Sequence, residues 1–327
     1  VRRRRGENRE TPLPPETPAG ANPAAGAPVD YWLAAEPAGE VTLEILDEHG
    51  ETVRRFSSGD PVRQPDAAAP YPRYWLRPAA PLAKRAGLNR FVWDLRFPPP
   101  PALHPQAAMD AVYGEDTPLE PGGPLVLPGM YQLRLTAGGH TATASLRVEP
   151  DPRVEASTAA LASQLALARR IDTALAESHQ AVRQLREVGS QLEALAATGA
   201  AAGGQTAAAR GRGGASRGAG DGDGELAKVA AALGRRVNTL TGGEPDYPAA
   251  PEKEPGFKTI HAGLAALAVS VGTGDAAPTT QAAAAFAAYR AQLDRALAAW
   301  AKLRTADLAA LNRRLEARGR RQVEVPP

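Results

Sequence analysis

The spacing of apolar residues changes period at Asp151-Pro152, and this change limits the possible folds more than any other feature of the chain. Before it, apolar and polar residues alternate. Asp30-Tyr31-Trp32-Leu33 and Val41-Thr42-Leu43-Glu44-Ile45-Leu46-Asp47 have a period of two, and Asp47-Glu48-His49-Gly50 supplies turn chemistry before Thr52-Val53-Arg54-Arg55-Phe56 resumes it. This pattern predicts a hairpin. Further strands are predicted at Gly87–Asp94, Gly129–Thr136 and Thr141–Val148, the last two joined at Ala137-Gly138-Gly139-His140. Short strands with Gly and Pro turns and no helical period between them predict an immunoglobulin- or fibronectin-III-like antiparallel β-sandwich over residues 29–150. Two Pro- and Ala-rich insertions, at about 57–86 and 98–126, are expected to be irregular surface loops.

After Pro152 the step becomes three, four or seven. Leu161, Leu165, Ala168, Ile171, Leu175, Val182, Leu185, Val188, Leu192 and Leu195 form one stripe along a long helix, with Ser157 or Thr158 as its cap and Gly199 as its stop. Residues 200–224, of Ala, Gly and Arg, read as a flexible linker. Helical signal returns at Glu225–Leu240 and Phe257–Val271, then in a last helix starting near Thr279 or Thr280 and carrying Phe286, Tyr289, Leu293, Leu297, Trp300 and Leu303, with a bent continuation through Leu308, Leu311 and Leu315. Such stripes must bury one another, so residues 151–199 and 225–320 are expected to form an antiparallel α-helical bundle. Residues 1–28 hold repeated prolines and read as an extended connector, its opening run of arginines solvated.

Composition narrows function mainly by exclusion. A net charge of +2 gives no strong field, and no basic face is evident, so no nucleic-acid partner is expected. The chain has no cysteine, which removes disulfides, thiolate metal sites and a cysteine nucleophile together. No apolar run reaches the roughly 18 residues of a membrane-spanning helix. The chain opens without Met or the apolar region of a signal peptide, and we read it as a fragment or processed product.

Candidate chemistry is thin. Trp93-Asp94 resembles a sugar-stacking ring beside a general acid, but glycoside hydrolysis needs a second carboxylate across the bond and none stands nearby in sequence. Alternation instead directs Phe91 and Trp93 to one face and leaves Asp94 at the strand end to satisfy turn amides. His49, His104, His140, His179 and His261 are scattered, with no pair at metal-ligand spacing. There is no Gly-x-Ser-x-Gly elbow and no phosphate-binding loop. Asp221-Gly222-Asp223-Gly224-Glu225 mimics a calcium loop, but its later ligand positions fall on Val229 and Ala232. Ala209–Gly214 holds a single Arg-Gly copy without aromatics. No cofactor or metal is expected. Tyr71, Tyr74, Trp75 and Tyr113, in or beside the insertions, remain as candidate binding residues, either a carbohydrate platform or buried loop anchors.

The order of signals, a strand ending Asp47-Glu48-His49-Gly50, a strand ending Phe91-Val92-Trp93-Asp94 and the strand Pro128-Gly129-Met130-Tyr131, resembles the immunoglobulin-like domain of flagellar hook-capping proteins. More of the chain is similar to the C-terminal region of bacterial exported proteins that carry a sortilin-like or BNR-repeat β-propeller and are often labelled glycosyl hydrolases. That likeness rests on Leu13-Pro14-Pro15-Glu16-Thr17-Pro18-Ala19-Gly20-Ala21-Asn22-Pro23, Phe91–Arg96, Val126–Tyr131, Asp151-Pro152-Arg153-Val154 and Asp307–Asn312. Ala24, where a second proline is usual, and the Ala/Gly/Arg linker depart from the pattern. The resemblance implies a periplasmic or extracellular, non-catalytic module that docks or orients the propeller of the same parent protein. A carbohydrate-binding accessory module, with polysaccharide or another exported protein as partner, is the alternative. A third expectation has Asp94 or Glu120 lending a carboxylate to a hydrolase site shared with the propeller.

Overall fold

The structure is a computed structural model that describes residues 1–2, 16–18, 20, 24–62, 78–107, 119–209, 219–243 and 254–327. Antiparallel β-sheets come first and helices follow. The chain divides into two compact units, one of Val1–Pro100, His104–Asp172 and Ala265–Ala283, the other of Pro101–Leu103, Thr173–Leu264 and Ala284–Pro327.

In the first unit, β1 (Ala27–Leu33) pairs with β4 (Gly87–Trp93). β2 (Thr42–Leu46), β3 (Thr52–Ser57), β7 (Gly129–Ala137) and β8 (His140–Val148) form a second antiparallel sheet in the order β3-β2-β7-β8. Both sheets contribute to one apolar cluster. Tyr31 and Leu33 of β1, Leu43 and Ile45 of β2, Val53 of β3, Trp93 of β4 and Leu133 of β7 are all buried in it. The β2–β3 turn forms because the Asp47 carboxylate accepts the N–H groups of His49 and Glu51, both at 2.9 Å, while Gly50 takes the positive φ that the reversal needs.

The second insertion is more ordered than its composition predicts. It contains the two-residue ladder β5 (Gln106–Ala107) with β6 (Leu119–Glu120). Its ends are clasped by Phe97 N–H to the Pro124 carbonyl at 2.9 Å and Val126 N–H to the Leu95 carbonyl at 2.8 Å. Backbone pairing needs no particular side chain, so an Ala/Pro composition conceals it.

One arginine of the opening run is also not solvated. Arg2 is 2% exposed, donates its backbone N–H to Glu149 and its Nε–H to the Val126 carbonyl, and is ion-paired with the buried Asp275. A buried guanidinium is tolerable because carbonyls and a carboxylate replace its water.

Helix α1 (Thr158–Ala209) begins at Ser157, whose Oγ accepts the Ala160 N–H, and it continues past Gly199. A helix already propagating loses only about 1 kcal/mol at each of Gly199, Gly203 and Gly204, and alanines fill most of the other positions, so residues 200–209 of the expected linker are helical. Residues 219–224 are helical too, as the start of α2 (Ala219–Thr241), and residues 210–218 lie outside the described residues. Helix α3 spans Phe257–Val271 and α4 spans Thr280–Lys302, the latter capped by Thr279 Oγ1 on the Ala282 N–H. A π-helical turn at Leu303–Leu308 leads into α5 (Ala309–Glu316). The reason is visible in the spacing. Leu303 and Leu308 stand five apart, a step that leaves the buried stripe of an α-helix but stays on the same side of a wider π turn.

The second unit is closed by its own tail. Asn312 brackets the backbone of Val323 from both sides, and Gln191 does the same for Glu324. Gln184 bonds the Pro326 carbonyl while accepting the Trp300 indole N–H.

Candidate functional site

The stretch that looked most like an active site is architecture. Trp93 is fully buried, its ring edge-on to Tyr131 with centroids 5.6 Å apart, and its Nε1–H donates to the Arg96 carbonyl at 3.1 Å. Asp94 lies beside the tight reversal at Leu95, which has φ 58°, and its carboxylate accepts the Arg96 N–H at 3.2 Å with Arg54 4.0 Å away. Burial pushes the Asp94 carboxyl above its ordinary value, opposed by Arg54 and Arg96, and among the described residues no carboxylate contributes to that shift. Glu120 sits in β6 opposite Gln106. The side chains of Tyr71, Tyr74, Trp75 and Tyr113 lie outside the described residues.

The histidines do not converge on a metal. Among the described residues no three His, Cys, Asp or Glu side chains are grouped to hold one. His261 is buried and shares a chain of hydrogen bonds with Ser178. Leu103 N–H donates to His261 Nε2 at 3.1 Å, so that nitrogen is unprotonated. The ring proton of the neutral imidazole is therefore on Nδ1, which donates to Ser178 Oγ at 2.8 Å, and the serine proton goes to the Leu175 carbonyl at 3.0 Å. In this order the histidine cannot take a proton from the serine. The pair joins α1, α3 and residues 101–103 and is not a nucleophile with its base. The calcium-like stretch is equally occupied elsewhere: Asp223 is in α2 and ion-paired with Arg320.

A cavity of about 40 Å³ lies in the first unit, lined by Arg2, Arg96, Gln164 and Asp172 among others. It has room for one or two waters and excludes a sugar ring. Gln164 spans one side by donating to the carbonyls of Val271 and Gly274. Burial pushes the Asp172 carboxyl up to about 7, partly opposed by Arg169.

The surface that stands out is the outer face of β1–β4. Trp32 is 67% exposed and sits directly opposite Leu88, itself 64% exposed, while Val92 opposite Pro28 extends the apolar row. Between them Arg90 grips Asp30 through two hydrogen bonds, Nε–H to Oδ1 at 2.6 Å and Nη2–H to Oδ2 at 2.7 Å. That grip holds the Asp30 carboxyl below its ordinary value. An exposed Trp with aliphatic neighbours and a fixed planar ion pair is an uncommon thing to leave in water.

Reading the strands by period alone missed this face. Its signal is nevertheless present: Tyr31, Trp32 and Leu33 are consecutive, and a strand can direct only alternate residues inward. Leu33 and Tyr31 go to the core, which leaves Trp32 outside. No family model matches this chain, and no curated protein or solved structure does so either.

Proposed function

We propose that this chain is a non-catalytic interaction module, an immunoglobulin-like sandwich with a helical bundle, that docks a partner protein through the outer face of β1–β4. The reading rests on one observation, the row of Trp32, Leu88 and Val92 set around the Asp30–Arg90 fork. Trp and Arg are the side chains that dominate protein interfaces, and a preformed ion pair loses little freedom on contact. The sequence resemblance suggests the partner: a β-propeller of the same exported parent, in the periplasm or outside the cell. No helix among the described residues is long and apolar enough to cross a membrane.

Binding of the full chain to a purified β-propeller domain of that class, measured by calorimetry, tests the proposal. Trp32→Ser should weaken binding by about 2 kcal/mol or more without changing thermal stability, because the ring is exposed. Binding that is indifferent to Trp32 would sink this face as the docking site. The same exposed ring supports the carbohydrate alternative through stacking on an apolar sugar face. Saturable quenching of Trp fluorescence by a polysaccharide, lost in Trp32→Ser and retained in Trp75→Ser, would put a glycan in place of the protein partner.

A further inference from the structure

The tail of the second unit is held by its backbone. Asn312, on α5, donates Nδ2–H to the Val323 carbonyl at 2.9 Å and accepts the Val323 N–H on Oδ1 at 2.8 Å. Gln191, on α1, does the same for the next residue, with Nε2–H to the Glu324 carbonyl at 2.9 Å and the Glu324 N–H to Oε1 at 2.8 Å. Gln184, two turns earlier on the same face of α1, donates to the Pro326 carbonyl at 3.0 Å. A primary amide that gives one bond to a residue and takes one from it reproduces the pair of bonds made by a neighbouring strand, whatever side chain that residue carries.

The two glutamines are also set in place by residues outside the tail. The Trp300 indole N–H holds the Gln184 side-chain oxygen at 3.0 Å and so turns the amide nitrogen toward the tail, while Gln191 has a further bond to Glu187 Oε1 at 3.2 Å. The side chains of the tail add less. Val323 is buried at 6% exposure, Glu324 is exposed, and Val325 and Pro326 are half-buried. Pro326 and Pro327 keep the backbone extended, because each restricts its own φ and disfavours helix at the residue before it. What fits here is therefore a small aliphatic side chain followed by extended backbone that reaches a proline three positions on. A helical segment does not fit, since its N–H and C=O groups are already paired with one another.

We infer that Asn312, Gln191 and Gln184 form a binding groove for an extended peptide of the pattern Val-x-x-Pro, which residues 323–326 fill in cis and which the same pattern on a partner chain enters when they leave. Departure of the tail takes the Pro326 carbonyl from the buried Gln184 amide, so the emptied groove favours a replacement. The tether keeps the tail at high effective concentration, and a peptide in trans competes well only when the tail is weakened.

Val323→Asp in the full chain places a charge at the buried position of the tail and leaves the three amides intact. A fluorescein-labelled peptide copying residues 322–327 should bind this variant saturably in fluorescence anisotropy, about tenfold or more tighter than it binds the unaltered chain, whose own tail competes. Adding Asn312→Ala and Gln191→Ala should abolish that binding. In the unaltered chain, amide hydrogen exchange at Val323 and Glu324 should be about tenfold or more faster than at Leu185 and Val188 in α1, because the tail opens locally, and it should quicken as unlabelled peptide is added. Failure of the folded Val323→Asp chain to bind the peptide, equal binding to both chains, or exchange at Val323 and Glu324 as slow as at Leu185 would each overturn the inference.

Discussion

Asp172 makes stability depend on pH in a direction opposite to that of most surface carboxylates. Its side chain lines the small cavity, and burial pushes its pKa up to about 7, with Arg169 pulling it partly back. In the unfolded chain the same carboxyl titrates near 4. Below about pH 4 it is protonated in both states and favours neither. Between about 4 and 7 the folded chain keeps a proton that the unfolded chain releases, so stability falls as pH rises and the loss is complete above about 7. At roughly 1.4 kcal/mol per tenfold change in proton concentration, the ceiling is about 4 kcal/mol. Asp172 is only partly enclosed, and solvent screening reduces this to about 1–2 kcal/mol. Asn has nearly the same shape and cannot ionise. Asp172→Asn should therefore match the parent near pH 4 and exceed it at pH 8 by about 3–6 °C in Tm. Thermal melts at half-unit pH intervals make the comparison. A Tm difference that does not vary with pH, or a variant less stable than the parent at pH 8, would refute the assignment of this titration to Asp172.

Two further perturbations probe packing. Trp93→Ala should destabilise the first unit by about 3–5 kcal/mol, and Trp93→Phe by about 1–3 through the smaller ring and the lost indole hydrogen bond to the Arg96 carbonyl, in guanidinium unfolding followed by far-UV circular dichroism. A loss below about 1 kcal/mol for Trp93→Ala would show that the core does not depend on this ring. Two helical glycines should respond with opposite signs. A Cβ on Gly234 would meet Leu192 at 4.0 Å, so Gly234→Ala should stabilise α2 by about 0.5–1 kcal/mol. A Cβ on Gly263 would overlap the Tyr289 ring, so Gly263→Ala should cost about 1–3 kcal/mol despite the better helix propensity. Melts of both variants that move in the same direction would contradict the close approach of Gly263 to Tyr289.

The parts of this fold legible in the sequence are those governed by short-range chemistry. The Asp47 turn, the Ser157 and Thr279 caps, and the alternation that buries Asn89 and Trp93 each depend on residues within a few positions of one another. What was not legible depends on partners far along the chain. Arg2 is buried because Val126, Glu149 and Asp275 surround it, and a run of arginines at one end of a sequence gives no sign of them. The Asp172 shift likewise needs residues from far along the chain, such as Arg2 and Val271 around the same cavity, to keep water from the carboxyl. His261 and Ser178 are 83 residues apart, and only the contact with Leu103 shows that the imidazole is an acceptor at Nε2.

The candidate face occupies an intermediate position. Nothing in Trp32 itself distinguishes it from a core residue, and it lies beside two residues that are core. Its placement follows from a sequence of constraints that starts at Trp93. Once Trp93 and Phe91 point inward, Val92, Arg90 and Leu88 must point outward, because successive residues of a strand face opposite ways. The pairing register then sets Trp32 opposite Leu88 and Asp30 opposite Arg90, on that same outward side. Aromatics are only 5% of this chain, and an isolated first unit could bury Trp32 only by giving up Tyr31 and Leu33. Leaving one of four tryptophans in water is therefore a consequence of the core register. Covering it with a partner restores the burial that the register denies, which is the physical reason to seek function on this face and not at Trp93-Asp94.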